Sequence, residues 1–347
     1  MELSGTVLWG DDYEPVQGTL VVEDGEVVRL DEERVDSDDV VLPAFVNAHT
    51  HTGDSIAKEA GRGLSLEELV APPDGLKHRL LREADREDLV QAMRRSLSFM
   101  AETGTTSHIE FREGGTNGVR AIREAGEGVD VDSVVFGRGG PEVIEVADGY
   151  GASGAADGEF GRQRTAARNA GKPFAIHAGE VDASDINPAL DLDPDLLVHM
   201  VHAESLHLDR VEDSEIPVAV CPRSNLVTGV GVPPVDELAR RTTVALGTDN
   251  VMLNSPSMFR EMEFLAKHTA LEAPTILRMA TRNGASLLGR DDGLVEVGRP
   301  ANLLVLDTDT PNLAGVLDPV RAVVRRAGQG DVADVIVDGR SVGMGDG

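Results

Sequence analysis

Two histidines one residue apart, His49 and His51, close the apolar run VLPAFVNAHTHTGD. In an extended chain, positions i and i+2 face the same side, so both imidazoles point together, and neutral imidazole is the commonest nitrogen ligand of a catalytic transition metal. An isolated His-x-His pair is weak evidence, and the context decides. Three further apolar runs end on groups able to bind a metal or move a proton: KPFAIHAGE with His177 and Glu180, LLVHMVHAE with His199 and His202, and VALGTDN with Asp249. Four strands that finish this way describe one rim of a parallel barrel, where carboxyl-terminal strand ends converge on a single site.

The elements that must position these residues are visible as alternation. From Val41 to about Val297, the runs VLPAFVNAH, TTSHIEF, VDSVVFG, EVIEVADG, KPFAIH, LLVHMVH, IPVAVCP and TVALGTD are separated by amphipathic stretches such as REDLVQAMRRSLSFMAETG. Strand-helix alternation argues for a parallel sheet, and eight units predict an α/β fold, a (β/α)8 TIM barrel over residues 44–297. The flanking segments, 1–43 and 298–347, alternate apolar and polar residues in short pieces broken by glycine and aspartate. They predict small antiparallel strands that combine into one composite β-sandwich. Residues 52–80, with Pro72 and Pro73, form an unusually long connection directly after the HTH run and are expected to make a lid over the pocket.

The composition restricts the partners. Among 347 residues, 61 acidic side chains face 32 basic ones, only four of them lysine, for a formal net charge of −29. Such a surface repels nucleic acid and anionic membrane and reads as adaptation to high salt, where screening relieves self-repulsion. The acidic clusters DEERVDSDD and READRED read as solvated faces and turns. A single cysteine, Cys221, excludes an intramolecular disulfide and is expected to be a buried core thiol. With no basic-then-apolar leader and no run long enough to cross a bilayer, a soluble, cytoplasmic protein is expected. A homodimer is the one macromolecular assembly left open.

Seven spaced runs, PAFVNAHTHTGD, IHAGE, VHMVHAESL, VCPRSN, LGTDN, LRMATRNGASLLG and VEVGRPANLLVLD, occur in the order found in the amidohydrolase superfamily. The chain resembles its cytosine deaminase-like and chlorohydrolase-like branch over nearly its whole length, with likeness to nucleoside and adenosylhomocysteine-type deaminases. The resemblance implies a barrel with a split β-sandwich and one divalent metal ion, zinc ahead of iron or manganese, held by His49, His51, His177 and Asp249. It also implies a water activated on that metal, Glu180 as proton shuttle, and His199 against the reacting group of a small heterocyclic substrate. Two segments, HIEFREGG and APPDGLKH, match no functional motif.

Residue chemistry supports that outline and leaves alternatives beside it. A metal lowers the pKa of bound water to about 7; Asp249 can accept a proton from that water while Glu180 delivers one to the ring and leaving nitrogens. Glu180 also fits a helix-start carboxylate, His177 a satisfied strand-end histidine, and Asp249 a turn cap. Only one of His199 and His202 need face the pocket, and His199 is the one selected. His108 fits a core position as well as a pocket one. His78, His207 and His268 read as loop or helix-face residues, and Arg112 and Lys77 as exposed cations. Binuclear relatives bridge their metals with a lysine at the end of the fourth strand; EVIEVADGYGAS has none, which implies one metal, with Glu145 the remaining candidate bridge. Hydrolytic deamination of an aminated purine, pyrimidine or related ring is therefore the leading expectation. Cyclic amide hydrolysis or dechlorination is the alternative, and a non-catalytic scaffold is disfavoured because every ligand is retained.

Overall fold

The fold was analysed in a computed structural model of the full chain, which describes residues 1–342; the last five positions of the expected C-terminal sandwich segment lie outside the described residues. Two compact units are evident, one from Met1–Asn47, Phe99–Ser107 and the chain from Ser257 onward, the other from Ala48–Ser98 and His108–Pro256.

The first unit carries a seven-stranded sheet built from both ends of the chain. Strands β1 (Glu2–Trp9), β2 (Glu14–Glu23), β3 (Glu26–Glu32) and β4 (Val40–Pro43) come from the N-terminal segment. After the barrel strands described next, β14 (Leu303–Leu306), β15 (Val332–Val337) and β16 (Arg340–Ser341) complete the order β16-β15-β14-β4-β1-β2-β3. The two ends join where β14 pairs antiparallel with β4, Leu304 opposite Leu42. Alternation buries one face, and Val7, Leu20, Val22, Val27, Val41, Leu303, Val305 and Ile336 form a common core, the half-buried pattern that the sequence displays.

The barrel strands are β5 (Phe45–His51), β6 (Thr105–Arg112), β7 (Asp132–Gly137), β8 (Gly149–Ala152), β9 (Phe174–Ala178), β10 (Leu196–His199), β11 (Val218–Val220), β12 (Val244–Leu246) and β13 (Asp249–Asn250). Their order is β12-β11-β10-β9-β8-β7-β6-β5-β13. β12 pairs parallel with β11, and β13 pairs parallel with β5, Asp249 opposite Thr50. Because only Gly247 and Thr248 separate β12 from β13, these two pieces are one bent eighth stave whose halves close the barrel. Gly247 N–H donates to Val220 O (3.0 Å) and Thr248 N–H to His49 O (3.0 Å), one bond to each neighbour. The bend needs glycine: a Cβ there would lie 2.7 Å from the His49 Cβ and 3.0 Å from the Cys221 Sγ. Cys221 is a buried thiol, as expected.

One barrel strand differs from the sequence expectation. EVIEVADG is not the fourth strand; Pro141–Glu145 forms a 3-10 turn, and the strand is the following Gly149–Ala152. Val143, Ile144 and Ala147 are buried with helical rather than alternating spacing. The true strand escapes a propensity reading because its glycines answer to packing: a Cβ on Gly149 would meet Phe136, and one on Gly151 would meet Phe111. Glu145 is exposed in that turn and belongs to none of the donor clusters found among the described residues.

The long connection after β5 is structured. A 3-10 turn, Thr52–Ala57, leads to helices α1 (Leu66–Val70) and α2 (Leu76–Glu83), and then to α3 (Arg86–Glu102). Ser65 starts α1 with a reciprocal cap, its Oγ accepting from Glu68 N–H (3.3 Å) while the Glu68 carboxylate accepts from Ser65 N–H (2.8 Å). Among the described residues, no helix is long and apolar enough to cross a membrane.

Candidate metal centre

Strand ends bring the predicted residues together in the second unit. β5 supplies His49 and His51 on one face, β9 supplies His177, β10 ends on His199, and β13 begins with Asp249. Donor atoms of His49, His51 and Asp249 lie within 4.8 Å of one another, as do those of His49, His177 and His199, and those of Glu180, His199 and Asp249. His49 Nε2 is 3.3 Å and His51 Nε2 3.6 Å from the same Asp249 oxygen, Oδ1. The predicted ligand quartet is therefore spread over two overlapping groups that share His49, and His199 enters as a further donor beside His177, with ring centroids 5.2 Å apart.

The outer atoms of these side chains are anchored, so the inner ones face the cluster. His177 Nδ1 lies 2.7 Å from Ala152 O, His51 Nδ1 lies 3.1 Å from Glu113 Oε1, Ser224 Oγ donates to Asp249 Oδ2 (2.7 Å), and the Asn225 carboxamide lies 3.0 Å from His199 Nδ1. This is how metal-binding imidazoles are held elsewhere, the distal nitrogen bound to a carbonyl or carboxylate that fixes the ring. Phe111 floors the cluster edge-on, its ring centroid 4.4 Å from that of His49 and 5.2 Å from that of His177. The donor set thus fits a divalent cation of the zinc class: nitrogen-rich, with one carboxylate and a dry wall.

Protonation states agree with that fit. Burial holds His49 below its ordinary value, His51 down at about 3 and His177 well below, so the imidazoles are neutral and their lone pairs available. Burial alone would raise the Asp249 carboxyl, but its bond to His49 and the surrounding imidazoles hold it well below the usual range, in the ionised form. Burial raises Glu180, opposed by His199, whose Nε2 is 3.5 Å from Glu180 Oε2. Gly179, with φ of 64°, turns the chain so that Glu180 comes back over the cluster. His199 (φ 79°) and Asp249 (φ 58°) also adopt left-handed backbone, which costs a side-chain-bearing residue about 1–2 kcal/mol and clusters at functional sites. Met200 N–H to Ala178 O and His202 N–H to Gly179 O, both 2.9 Å, pin the β10 end in this form.

Of the remaining histidines, His108 is buried between Thr50 Oγ1 (2.8 Å) and Ser133 Oγ (2.7 Å), a core position. His207 is buried rather than on an open helix face; its Nδ1 accepts from Glu204 N–H (3.1 Å) to cap its own helix. His268 stacks on Phe264, with ring centroids 4.1 Å apart.

The exposed reading of Lys77 and Arg112 is overturned: they are 3% and 2% exposed. Lys77 Nζ lies 2.9 Å from Glu113 Oε1, 3.1 Å from Asp54 Oδ2 and 3.3 Å from Asn250 Oδ1. A buried ammonium that donates to Asn250 Oδ1 and is paired with two buried carboxylates is committed to the protein. Arg138, following β7, binds Glu113 Oε1 at 3.0 Å. Beside Glu113 and Arg138 opens a cavity of about 410 Å³, lined also by Tyr150, Glu159, Phe160 and Gln163. A larger cleft of about 780 Å³, between residues 263 and 326, holds none of the site residues. Sequence reasoning did not single out Glu113, Asp54, Ser224 or Asn225. Ser224 and Asn225 sit in the quoted VCPRSN run and Asp54 closes the quoted PAFVNAHTHTGD run, whereas Glu113 lies in HIEFREGG, which matches no functional motif.

Comparison with known proteins places these features in a family. The amidohydrolase family matches residues 40–342. A protein of Methanothermobacter thermautotrophicus, provisionally named an aminohydrolase, is 33% identical over 385 residues, covering 98% of each chain. A 5-methylthioadenosine/S-adenosylhomocysteine deaminase of Halobacterium salinarum is 28% identical over 401 residues, covering 98% of this chain and 91% of that one. The crystal structure of a Xanthomonas campestris adenosine deaminase with bound zinc superposes with a TM-score of 0.76 at 20% identity, over 98% of this chain and 92% of that one. With the barrel, the clustered strand-end donors and a match across most of its length, the chain belongs to the amidohydrolase family, hydrolases of carbon–nitrogen bonds.

Proposed function

We propose that the cluster binds one divalent cation, zinc by preference, and hydrolytically deaminates an amino-substituted purine or related heterocycle. The observation that carries this reading is the approach of Glu180, His199 and Asp249 to within 4.8 Å around buried neutral imidazoles, an acid-base group beside a metal donor set. His49, His51, His177 and Asp249 would hold the cation. Bound there, the cation supplies the Lewis acidity that makes hydroxide available from water near neutral pH. Asp249 takes one proton of the attacking water; Glu180, whose raised affinity for protons suits an acid, gives its own proton to the ring nitrogen, recovers one from the added hydroxyl and passes it to the departing amine, and the proton held by Asp249 then restores Glu180. The carbon–nitrogen bond breaks, ammonia leaves, and the ring keeps the oxygen. His199, fixed by Asn225, orients the reacting carbon's substituent.

A single cation suits the fourth strand, GYGA, which offers no lysine, while Lys172 is held by Ile144 O and Ala147 O. The relatives named as adenosine-type deaminases support the ring class, and the acidic composition supports work in a salt-rich cytoplasm. The test is ammonia release by zinc-loaded protein in high salt across adenine nucleosides, free nucleobases and pterins. Turnover of a lactam, imide or chlorinated triazine with no ammonia from any aminated ring would reassign the leaving group.

A further inference from the structure

The two segments without a recognisable motif, HIEFREGG and APPDGLKH, meet each other at the metal centre. The first spans the end of β6 and presents Glu113; the second runs into the first turn of α2 and presents Lys77. Glu113 Oε1 touches His51 Nδ1 (3.1 Å), Lys77 Nζ (2.9 Å) and Arg138 Nη1 (3.0 Å). Through its other contacts, Lys77 reaches Asp54, three residues past His51, and Asn250, directly after Asp249. Since Asn250 pairs with His51 in the sheet, one ammonium spans the seam where the two strands carrying His49, His51 and Asp249 close the barrel. Burying such a cluster is a poor route to stability, because an apolar replacement of equal volume is often neutral or better. Its placement has a different physical consequence.

We propose that Glu113 and Lys77 are positioning residues of the metal centre: the carboxylate fixes the His51 ring through Nδ1, and the ammonium, delivered by α2, locks that carboxylate to Asp54 and Asn250. Seating of the 52–80 segment and cation affinity are then one coupled equilibrium, each strengthening the other by the same factor. This inference rests on the metal reading above and is silent about the leaving group.

The experiment uses the full chain stripped by chelator, with zinc affinity measured by competition against a chromophoric chelator in high-salt buffer. Glu113→Gln, Lys77→Met, the charge-neutral pair Lys77→Met/Asp54→Asn and the double variant Lys77→Met/Glu113→Gln are compared with wild type and with His51→Ala. Glu113→Gln is expected to weaken zinc binding about 10- to 100-fold, the range for losing a partner of a ligating histidine, and the neutral pair about 10-fold. Lys77→Met should add nothing in the Glu113→Gln background, since it acts through that carboxylate. Zinc should slow amide exchange across residues 66–83 in wild type and not in Glu113→Gln, a readout independent of turnover. Folded Glu113→Gln and neutral-pair variants binding zinc within about twofold of wild type, or independent multiplication of the two single effects, would overturn the proposal while leaving the metal reading intact. Absence of stoichiometric zinc from wild type, or affinity unaffected by His51→Ala, would overturn both.

Discussion

Glu110 offers a test of the site's framework that needs neither metal nor substrate. It lies fully buried on β6, where its carboxylate accepts Thr52 N–H (2.9 Å to Oε2, 3.1 Å to Oε1) and Thr50 Oγ1 (2.9 Å). These residues bracket His51, so the carboxyl holds the backbone that carries a candidate ligand. Burial lifts its pKa from the ordinary 4.5 to about 7, outweighing the nearby Arg112 charge and the Thr52 bond. A folded-state value above the unfolded one means that folding favours the protonated form. The associated stability is complete below about pH 4.5, declines as pH rises, and levels off above about pH 7. The whole shift is worth about 3 kcal/mol, and about 2 kcal/mol of it falls between pH 5 and pH 8. Glu110→Gln keeps an acceptor for Thr52 N–H and cannot ionise. Urea unfolding of wild type and variant at both pH values, in one high-salt buffer, isolates this group, because other titrations cancel in the difference. The variant should gain about 2 kcal/mol on wild type between pH 5 and pH 8. A stability difference that is the same at both pH values would show that Glu110 does not titrate in this window, and the account of its burial would be wrong.

Four further outcomes follow from the site. Chelation should lower the melting temperature and zinc restore it; if free zinc exceeds its dissociation constant about 1,000-fold, the stabilisation is about 4 kcal/mol, and an unchanged melt after complete stripping would argue against the cluster as a metal site. Glu180→Gln should lower kcat about 10²- to 10⁴-fold while zinc affinity by chelator competition stays at the wild-type level. Gly247→Ala forces a methyl against His49 and Cys221 and should cost about 1–3 kcal/mol of stability together with zinc affinity, measured by denaturant unfolding and competition. Ser224→Ala removes the donor to Asp249 Oδ2 and should weaken zinc binding about tenfold with little change in melting of the metal-free protein.

Much of the fold was legible because barrel strands, helices and terminal sheet strands each impose a local period on the chain. Where packing overrode that period, reading failed: GYGA is a strand because Phe136 and Phe111 occupy the space its side chains would take, and the neighbouring apolar residues of EVIEV turn instead. Strand-end His49, His51, His177, His199 and Asp249 were legible for a related reason. Candidate donors on separate staves are each announced by their own apolar run, although none of those runs shows which donors share an atom's reach.

By itself, the sequence determined the alternation of elements, the rim that collects the candidate donors, and the acidic composition, since period and composition are properties of contiguous residues. Only the tertiary structure decided that Lys77 and Arg112 are interior, that Glu113 backs His51, that Ser224 and Asn225 hold Asp249 and His199, and that the eighth stave bends at Gly247 to close the barrel. Those are contacts between segments distant along the chain, and they exist only once the closed barrel removes the charges from water and gives each a fixed counterpart.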